Sequence, residues 1–484
     1  MAERRSDHQH VLRLANAGAL DFALAEYTRL GLDQVRDDED VMALKGRLFK
    51  DLHASRQGGP GESFARLSAD AYEAAHAATG GYFSGINAAT MALLSEAEPD
   101  EVERRARRVL LLLPDTADLA PSELYFVEAT RAEALLLLGD TERAATALRT
   151  AREHDPLNYT AHASTLRQFQ RIAAYRSLHL PWLDQLQPPL AAHFCGPLFE
   201  ADGERAALDE VAEWLRQADI AFGYGALAAG ADIVFAEALL AEGAELHVRL
   251  PVEAGRFEDA SVRPFGAAWQ TRFRTCLDGA HSVEIIADGQ DWHDADVDGC
   301  AALAAMGDAV RCGDRLASGS VQLRARRPDA FGRATARSAA WWSAGGRDAH
   351  ALTFTTDGTM SLGEDDSPPG RQPNITLRIE SEDGTCADSD IDGLPEKLQE
   401  VRAGENVAGR TWITARLGEL RTTDPDAVRH AVLALPHGGI YADRLAADAI
   451  SLFLPGTLRA SAVEDPGGGH PVLFSVRALA ARSA

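Results

Sequence analysis

Lysine is almost absent from this chain, and cysteine and long apolar runs are scarce as well. Only Lys45, Lys50 and Lys397 carry an ammonium group, and none lies in a G-x(4)-G-K-[ST] phosphate-binding loop. The five cysteines form no C-x-x-C pair, which argues against a zinc cage or a disulfide scaffold and favours a reducing compartment. No run approaches the ~20 apolar residues of a membrane span, and the N-terminus has no signal-peptide core. We therefore expect a cytoplasmic protein.

Positive charge is also in deficit. The 484 residues hold 48 Lys and Arg against 73 Asp and Glu, for a formal net charge of −25. Such a chain repels phosphate backbones and anionic lipids, so neither nucleic acid nor a membrane surface is expected as a partner. Arginine supplies nearly all of the positive charge, which fits a GC-rich bacterial genome.

Three segments with different patterns divide the chain. Residues 1–180 have a helical pattern, residues 181–357 alternate short strands with helices, and residues 374–484 follow a linker at 358–373 that is rich in Gly, Pro and Asp. The predicted fold class is therefore multidomain α plus α/β. It combines an N-terminal α-solenoid, a central doubly wound Rossmann-like domain and a C-terminal α+β domain.

The N-terminal segment has the pattern of tetratricopeptide repeats. Residues 122–156 read as two amphipathic helices joined at Gly139-Asp140 and closed by Pro156, and such pairs stack into a solenoid. The string GYFSGINAAT at residues 81–90 resembles the TRAFs-binding helical-repeat region of the apoptosis signal-regulating kinases and their bacterial relatives. That resemblance implies a protein-contact surface, so we expect a protein partner on this array. Within the string, Tyr82, Asn87 and Thr90 are interpreted as helix-packing residues.

A glycine-rich stretch follows the second predicted strand, residues 219–222. Gly223, Gly225 and Gly230 form the spacing G-x-G-x(4)-G, which suits a tight turn that brings backbone N–H groups to an anion at the start of the next helix. The spacing differs from the dinucleotide motif G-x-G-x-x-G, so no cofactor is assigned. Gly196, after the first predicted strand, lies at the same edge of the predicted sheet. The expected ligand is nucleotide-like, and an empty turn is the alternative.

The string GADIVFAEA at residues 230–238 resembles the SLOG-like domains that follow tetratricopeptide arrays in bacterial signalling proteins. The resemblance implies a nucleotide or a nucleotide-derived ligand at this edge. The P-G-G-x-G-T turn of the phosphoribohydrolase members is missing, so hydrolysis is not expected. Arg256 and Ser261, after the third predicted strand, are candidate phosphate contacts, whereas Asp232 is interpreted as a helix cap.

From residue 374 the order of segments resembles a class III nucleotide cyclase domain. The matching features are a first strand, an LP-x(2)-L helix, a T-W turn at 411–412, a D-A-x-R helix and a tail with H-x-G, DR, LPG and AS. Cyclases of this family bind two metal ions through two carboxylates. Here Glu380 is the nearest match to the first, whereas Ile413 and Thr414 stand where glycine and the second carboxylate are expected. Residues 446–450 read AADAI, where these cyclases have the N-x-A-A-R helix that supplies a transition-state arginine.

The leading hypothesis is a signalling or scaffold protein with an interaction array, a nucleotide-like sensor domain and an inactive cyclase-like module. One alternative is an active enzyme, either a nucleotide hydrolase or an adenylate or guanylate cyclase. Another is a structural interaction protein whose glycine turn is empty. The sequence contains no G-x-S-x-G and no H-E-x-x-H. No catalytic, metal-binding or cofactor-binding residue is assigned.

Overall fold

The protein is described by a computed structural model that divides the chain into two compact units, Met1–Pro188 and Pro189–Ala484. The residues that the structure describes are 2–16, 19–55, 64–115, 119–198, 204–287, 295–326, 333–354, 360–363, 373–403, 409–435, 439–455, 457–463 and 472–478.

The described part of the N-terminal unit is an array of nine α-helices. They are α1 (Ala2–Asn16), α2 (Leu20–Arg29), α3 (Glu39–Ser55), α4 (Phe64–Thr79), α5 (Tyr82–Leu94), α6 (Pro99–Leu112), α7 (Pro121–Leu137), α8 (Thr141–His154) and α9 (Tyr159–Tyr175). The predicted pair at 122–156 is confirmed as α7 and α8. Gly139 joins them with a φ of 85°, and the Asp140 carboxylate caps α8 by accepting the Arg143 N–H at 3.2 Å.

Helix α5 lies at the centre of this unit, because every residue from Ser84 to Leu93 is buried. It contacts the neighbouring helices α4 and α6, and also α3, α7 and α9. The alternate helices α3, α5, α7 and α9 therefore form an inner layer. Small side chains such as Ala88 and Ala89, which are fully buried, permit this close packing.

The first part of the C-terminal unit is a sheet of seven strands in the order β4-β3-β2-β1-β5-β6-β7. Its strands are β1 (Leu190–Cys195), β2 (Ile220–Gly225), β3 (Glu245–Leu250), β4 (Ser282–Ile285), β5 (Ser320–Arg326), β6 (Ala349–Phe354) and β7 (Met360–Gly363). Its helices are α10 (Glu204–Gln217), α11 (Ala231–Ala241), α12 (Ala254–Ser261), α13 (Ala267–Gly279), α14 (Ala295–Leu316) and α15 (Arg333–Ala344). Strands β1 to β6 pair in parallel, as the alternating pattern predicts. Strand β7 pairs antiparallel with β6 and falls within the segment predicted as a linker.

The last part of the chain adds a second sheet, in the order β12-β13-β11-β10-β8-β9. Its strands are β8 (Ile375–Ser381), β9 (Cys386–Ser389), β10 (Arg410–Leu417), β11 (Gly439–Ala442), β12 (Leu458–Ala462) and β13 (Phe474–Ala478), and its helices are α16 (Leu394–Ala403), α17 (Pro425–Ala434) and α18 (Arg444–Phe453). The predicted turn at 411–412 is wrong, because Thr411 and Trp412 lie inside β10, paired with Ser381 and Glu380 of β8. Helix α18 packs against both this sheet and α14.

Candidate functional site

The order of the seven-stranded sheet reverses between β1 and β5. Strand β1 leads to β2 on one side, whereas β5 leads to β6 on the other, and the two strands are parallel neighbours with Cys195 opposite Arg324. In open α/β sheets, ligands bind in the crevice outside the carboxyl ends of strands at such a reversal. We therefore take the carboxyl ends of β1 and β5 as the candidate site.

Gly196, the first residue after β1, lies at this point. A Cβ atom there would lie 2.2 Å from Ala231 Cβ and 2.7 Å from Ala325 Cβ, so only glycine fits between the start of α11 and strand β5. The Gly196 N–H donates a hydrogen bond to Asp232 Oδ1 at 3.0 Å. Asp232 Oδ2 accepts a second one from the Ala228 N–H at 3.3 Å. The carboxylate thus ties the loops before α11 together. The interpretation of Asp232 as a helix cap is wrong, because it accepts N–H groups that precede α11 and makes no capping hydrogen bond to the helix.

Burial raises the pKa of Asp232 to about 7, although the two backbone N–H donors favour its ionised form. The charge on this side chain therefore changes near neutral pH. A group of this kind at the edge of a sheet makes the local field sensitive to pH and to a bound anion.

Two backbone donors around the start of α11 are hydrogen-bonded within the chain. The Ala231 N–H donates to the Pro197 carbonyl at 3.3 Å, and the Ala229 N–H donates to the Ser261 carbonyl at 3.0 Å. Gly230 has a φ of 111°, a conformation that favours glycine, and precedes the helix. Three predicted residues, Gly196, Gly230 and Ser261, are thus brought together by these hydrogen bonds.

Two other predicted glycines, Gly223 and Gly225, lie inside strand β2 and allow close packing, and they do not form a turn. The prediction that β2 ends at Phe222 is wrong, because the strand continues to Gly225. A Cβ atom on Gly223 would lie 2.2 Å from a methyl group of Leu239, and one on Gly225 would lie 2.5 Å from the ring of Phe194. These glycines make room for helix α11 and for the side chain from β1. Their contact with a ligand stays a prediction.

Arg256 and Ser261 lie in helix α12, which follows strand β3. The side chain of Glu253 caps this helix by accepting the N–H groups of Gly255 and Arg256 at 3.0 and 3.2 Å. Ser261 is buried and Arg256 is exposed, so the two side chains have different environments.

Sequence reasoning missed Arg324, which is only 1% exposed at the carboxyl end of β5. A charged residue inside the strand SVQLRAR is the feature that identifies it, because burying a guanidinium is costly unless something compensates the charge. Its neighbour Cys195 is a poor nucleophile, since burial raises the pKa of the thiol well above its ordinary value. Nearby, Arg337 of α15 donates to Asp298 of α14 at 2.5 Å.

The position that resembles the first cyclase carboxylate is engaged within the second sheet. Glu380 accepts hydrogen bonds from Arg378 Nε at 2.6 Å and from Trp412 Nε1 at 2.9 Å. Burial opposes ionisation of Glu380, but these donors outweigh it and keep its pKa below the ordinary value. The Glu380 carboxylate is therefore an anion held by protein donors.

A second feature of the C-terminal unit is a cluster of six charged side chains, called the charge network below. Its members are Arg249 (β3), Glu284 (β4), Asp308 and Arg311 (α14), and Arg444 and Asp448 (α18). Arg444 donates to both oxygens of Glu284 at 3.0 Å and to Asp308 Oδ2 at 2.7 Å. It also donates to Asp448 Oδ2 at 2.9 Å, so it joins the helix that follows the DR motif to the first sheet.

The charge network is balanced, with three guanidinium groups and three carboxylates. Arg249 Nε lies 2.7 Å from Asp308 Oδ2. Arg311 Nη2 lies 2.6 Å from Asp308 Oδ1 and also 2.6 Å from Asp448 Oδ1. Burial alone would raise the pKa of Asp308, but the three surrounding guanidinium groups hold it well below its ordinary range. The role that this geometry supports is the attachment of α18 to α14.

The helical array exposes large apolar side chains at one end. Short connections reverse the chain between α5 and α9, so the starts of α5, α7 and α9 lie at the same end as the last turns of α6 and α8. The exposed apolar residues at this end, called the apolar end below, are Phe83, Leu111, Leu112, Phe126 and Leu157. Leu111 is 84% exposed and Leu157 is 76% exposed. Exposed apolar side chains that share one end of a helical array are candidates for an interaction surface.

The described residues contain no group of three or more His, Cys, Asp or Glu side chains placed to hold a metal ion. None of the helices in the described ranges is long and apolar enough to cross a membrane.

Comparison with known proteins identifies the type of the helical array. No curated protein matches the chain. Among solved structures, a mutant O-GlcNAc transferase from Thermobaculum terrenum matches with 14% identity and a TM-score of 0.19, covering 66% of this chain and 45% of that one. The chain thus spans less than half the length of that protein. Residues 1–92 match the family Tetratricopeptide Repeats-Sensor, so the helical array is of the tetratricopeptide type over this part.

Proposed function

We propose that the protein is a cytosolic signalling scaffold whose helical array binds a protein partner through its apolar end. Tetratricopeptide-type repeats generally mediate contacts between proteins. The observation that carries the proposal is the exposure of Phe83 and Phe126, which are 51% and 46% exposed in the first two turns of the neighbouring inner helices α5 and α7. Exposed aromatic side chains of this kind act as anchors that supply most of the energy of an interface.

The test is affinity capture from an extract of the source organism, with the full chain as bait. The double variant Phe83→Ser, Phe126→Ser should lose captured proteins, because removing two anchors weakens binding by roughly a hundredfold. Val472→Ser, which alters a residue that is 54% exposed in the other unit, is the matched control and should retain them. Equal capture by both variants would contradict a partner at the apolar end.

We further propose that the central α/β region senses a nucleotide-like ligand at the carboxyl ends of β1 and β5. The support is the reversal of strand order there, combined with the buried guanidinium of Arg324 and the absence of a side chain at Gly196. A guanidinium fork matches a phosphate group in geometry and charge. The Ala231 N–H, the first donor of α11, is hydrogen-bonded to the Pro197 carbonyl, so a phosphate at this helix would have to use other donors.

Thermal-shift measurements of the full chain with AMP, ATP and NAD test this second proposal, because binding to the native state raises stability. Arg324→Lys keeps the charge but loses the fork, so it should reduce the ligand-induced shift. Arg256→Lys tests the alternative contact on α12 and should leave the shift unchanged. The absence of a shift in the wild-type protein with every nucleotide would favour the empty-turn alternative.

The cyclase-like part is proposed to be catalytically inactive and to act as an attachment module. Its candidate metal carboxylate, Glu380, is held by Arg378 and Trp412. Its helix α18 carries Arg444 and Asp448 into the charge network instead of toward a substrate.

A further inference from the structure

A groove runs along helix α8 of the N-terminal unit, between this helix and the short 3₁₀ helix Pro181–Leu186. It consists of two adjoining cavities of about 290 and 270 Å³ that share Arg149. Trp182 lines the first cavity, whereas Pro156 and Leu186 line the second. Neither cavity is lined by a residue of the apolar end, so the groove is a separate surface of the array.

The 3₁₀ helix that forms one wall of the groove is fixed to the core. Its Leu183 and Leu186 are buried, and the Leu186 carbonyl oxygen lies 2.7 Å from His162 Nε2 of α9. Trp182 packs edge to face on Phe169, with 6.1 Å between the ring centroids. This wall is therefore in place before a ligand arrives, which lowers the entropy cost of binding.

The other wall, helix α8, presents two guanidinium groups to the second cavity. Arg149 and Arg152 are three positions apart, so their side chains leave the same face of the helix with roughly 5–6 Å between their Cβ atoms. Among the described residues neither guanidinium forms an ion pair or a hydrogen bond. Arg143 of the same helix, in contrast, lies 3.4 Å from Asp140. Two such cations beside one cavity favour an anionic ligand.

Carboxylates along the groove restrict the shape of that ligand. Glu142 lines the first cavity and Glu153 lines the second. Together with the net charge of −25, they disfavour a polyanion such as nucleic acid. From Glu142 to Glu153 the helix rises about 16 Å, which is the length of about five residues of an extended segment. The groove therefore suits a short extended segment whose negative charge is confined to the positions beside Arg149 and Arg152.

We propose that this groove binds a short acidic segment of a partner protein, with two Asp or Glu residues at alternate positions. Alternate side chains of an extended segment point the same way and are about 6.6 Å apart, which matches the spacing of Arg149 and Arg152. Each carboxylate accepts hydrogen bonds from one guanidinium fork. An apolar residue next to the acidic pair packs on the indole of Trp182. This site is additional to the one proposed at the apolar end, and neither depends on the other.

Selection of a random heptapeptide library displayed on phage, with the full chain as the target, tests the site. Enriched peptides should carry acidic residues at alternate positions, and fluorescence anisotropy of a labelled copy measures their affinity. Arg149→Gln and Arg152→Gln should each weaken binding at least tenfold, because a charge-assisted hydrogen bond is lost. Arg143→Gln is the matched control, the same substitution on the same helix outside the groove, and should bind as the wild type does.

Two further measurements locate the peptide. Arg149→Lys keeps the charge but loses the fork, so it should restore only part of the affinity that Arg149→Gln removes. The double variant Phe83→Ser, Phe126→Ser, which tests the apolar end, should bind the peptide as the wild type does. Loss of peptide binding in that double variant would place the peptide at the apolar end and overturn the proposal. Enriched peptides without acidic pairs, or equal binding by Arg149→Gln and Arg143→Gln, would overturn it as well.

Discussion

Replacing Arg444 with methionine is expected to destabilise the C-terminal unit by about 4 kcal/mol, because it breaks the charge network. The guanidinium makes hydrogen bonds to Glu284, Asp308 and Asp448 at 2.7 to 3.0 Å. The side chains of Asp308 and Asp448 are only 15% and 1% exposed, so water cannot replace the lost donor. Methionine has a comparable length and keeps the packing of the aliphatic stem, which limits the change to the charge and its hydrogen bonds.

The magnitude follows from what remains after the substitution. Arg249 and Arg311 still contact the three carboxylates, but two guanidinium groups then face three carboxylates, so the network carries one uncompensated negative charge. Removing one partner of a buried ion pair costs about 3–5 kcal/mol. With a urea slope of about 2 kcal/mol/M, a loss of 4 kcal/mol lowers the unfolding midpoint by about 2 M.

Urea unfolding followed by tryptophan fluorescence measures this shift, since Trp412 is buried in the second sheet. The control is Arg416→Met, which removes an arginine paired with Glu419, a residue whose side chain is 95% exposed. A surface pair of this kind contributes at most about 1 kcal/mol. If the midpoints of the two variants differ by less than 0.3 M, a shift of about 0.6 kcal/mol at the same slope, the reasoning about the network is refuted.

The same network predicts that stability depends on acid pH. The stability that Asp308 contributes should be complete above about pH 4 and should be lost as the pH falls toward the lowered pKa of Asp308 in the folded state. Arg444→Met should reduce this dependence in an acid titration followed by circular dichroism. Gly225→Val should destabilise the chain by about 1–3 kcal/mol without any ligand, because the new side chain overlaps the ring of Phe194. The control in thermal denaturation is Gly255→Ala, whose new methyl group contacts only the flexible side chain of Glu253. Limited proteolysis should cut first between residues 356 and 373. Gel filtration should then show the two fragments eluting together, because α18 stays bound to α14. Separate elution of the fragments would disprove that attachment. Incubation with ATP or GTP and Mn²⁺ should give no cyclic nucleotide above a boiled control, whereas turnover abolished by Glu380→Ala would restore the enzyme hypothesis.

Local patterns predicted the elements of this fold well. The helix pair around Gly139-Asp140 and the strands β1 to β6 follow from the spacing of apolar residues and from turn residues, which act over a few positions. The boundaries were less predictable. Strand β2 extends through Gly223 and Gly225, where side chains would overlap Leu239 of α11 and Phe194 of β1. These neighbours are distant in sequence, so the local pattern does not predict them.

By itself, the sequence determined the repeat type of the array and the alternation of strands and helices, because hydrophobic periodicity is a local property. Only the tertiary structure decided where charged side chains meet. Arg324 lies at the candidate site because β1 and β5 are neighbours in the sheet. Lys50 contacts Asn87, which lies 37 positions further along the chain. Arg444 meets Glu284 across 160 positions. Spacing along the chain does not encode such pairs, since their energy depends on burial and on partners that the folded chain alone supplies.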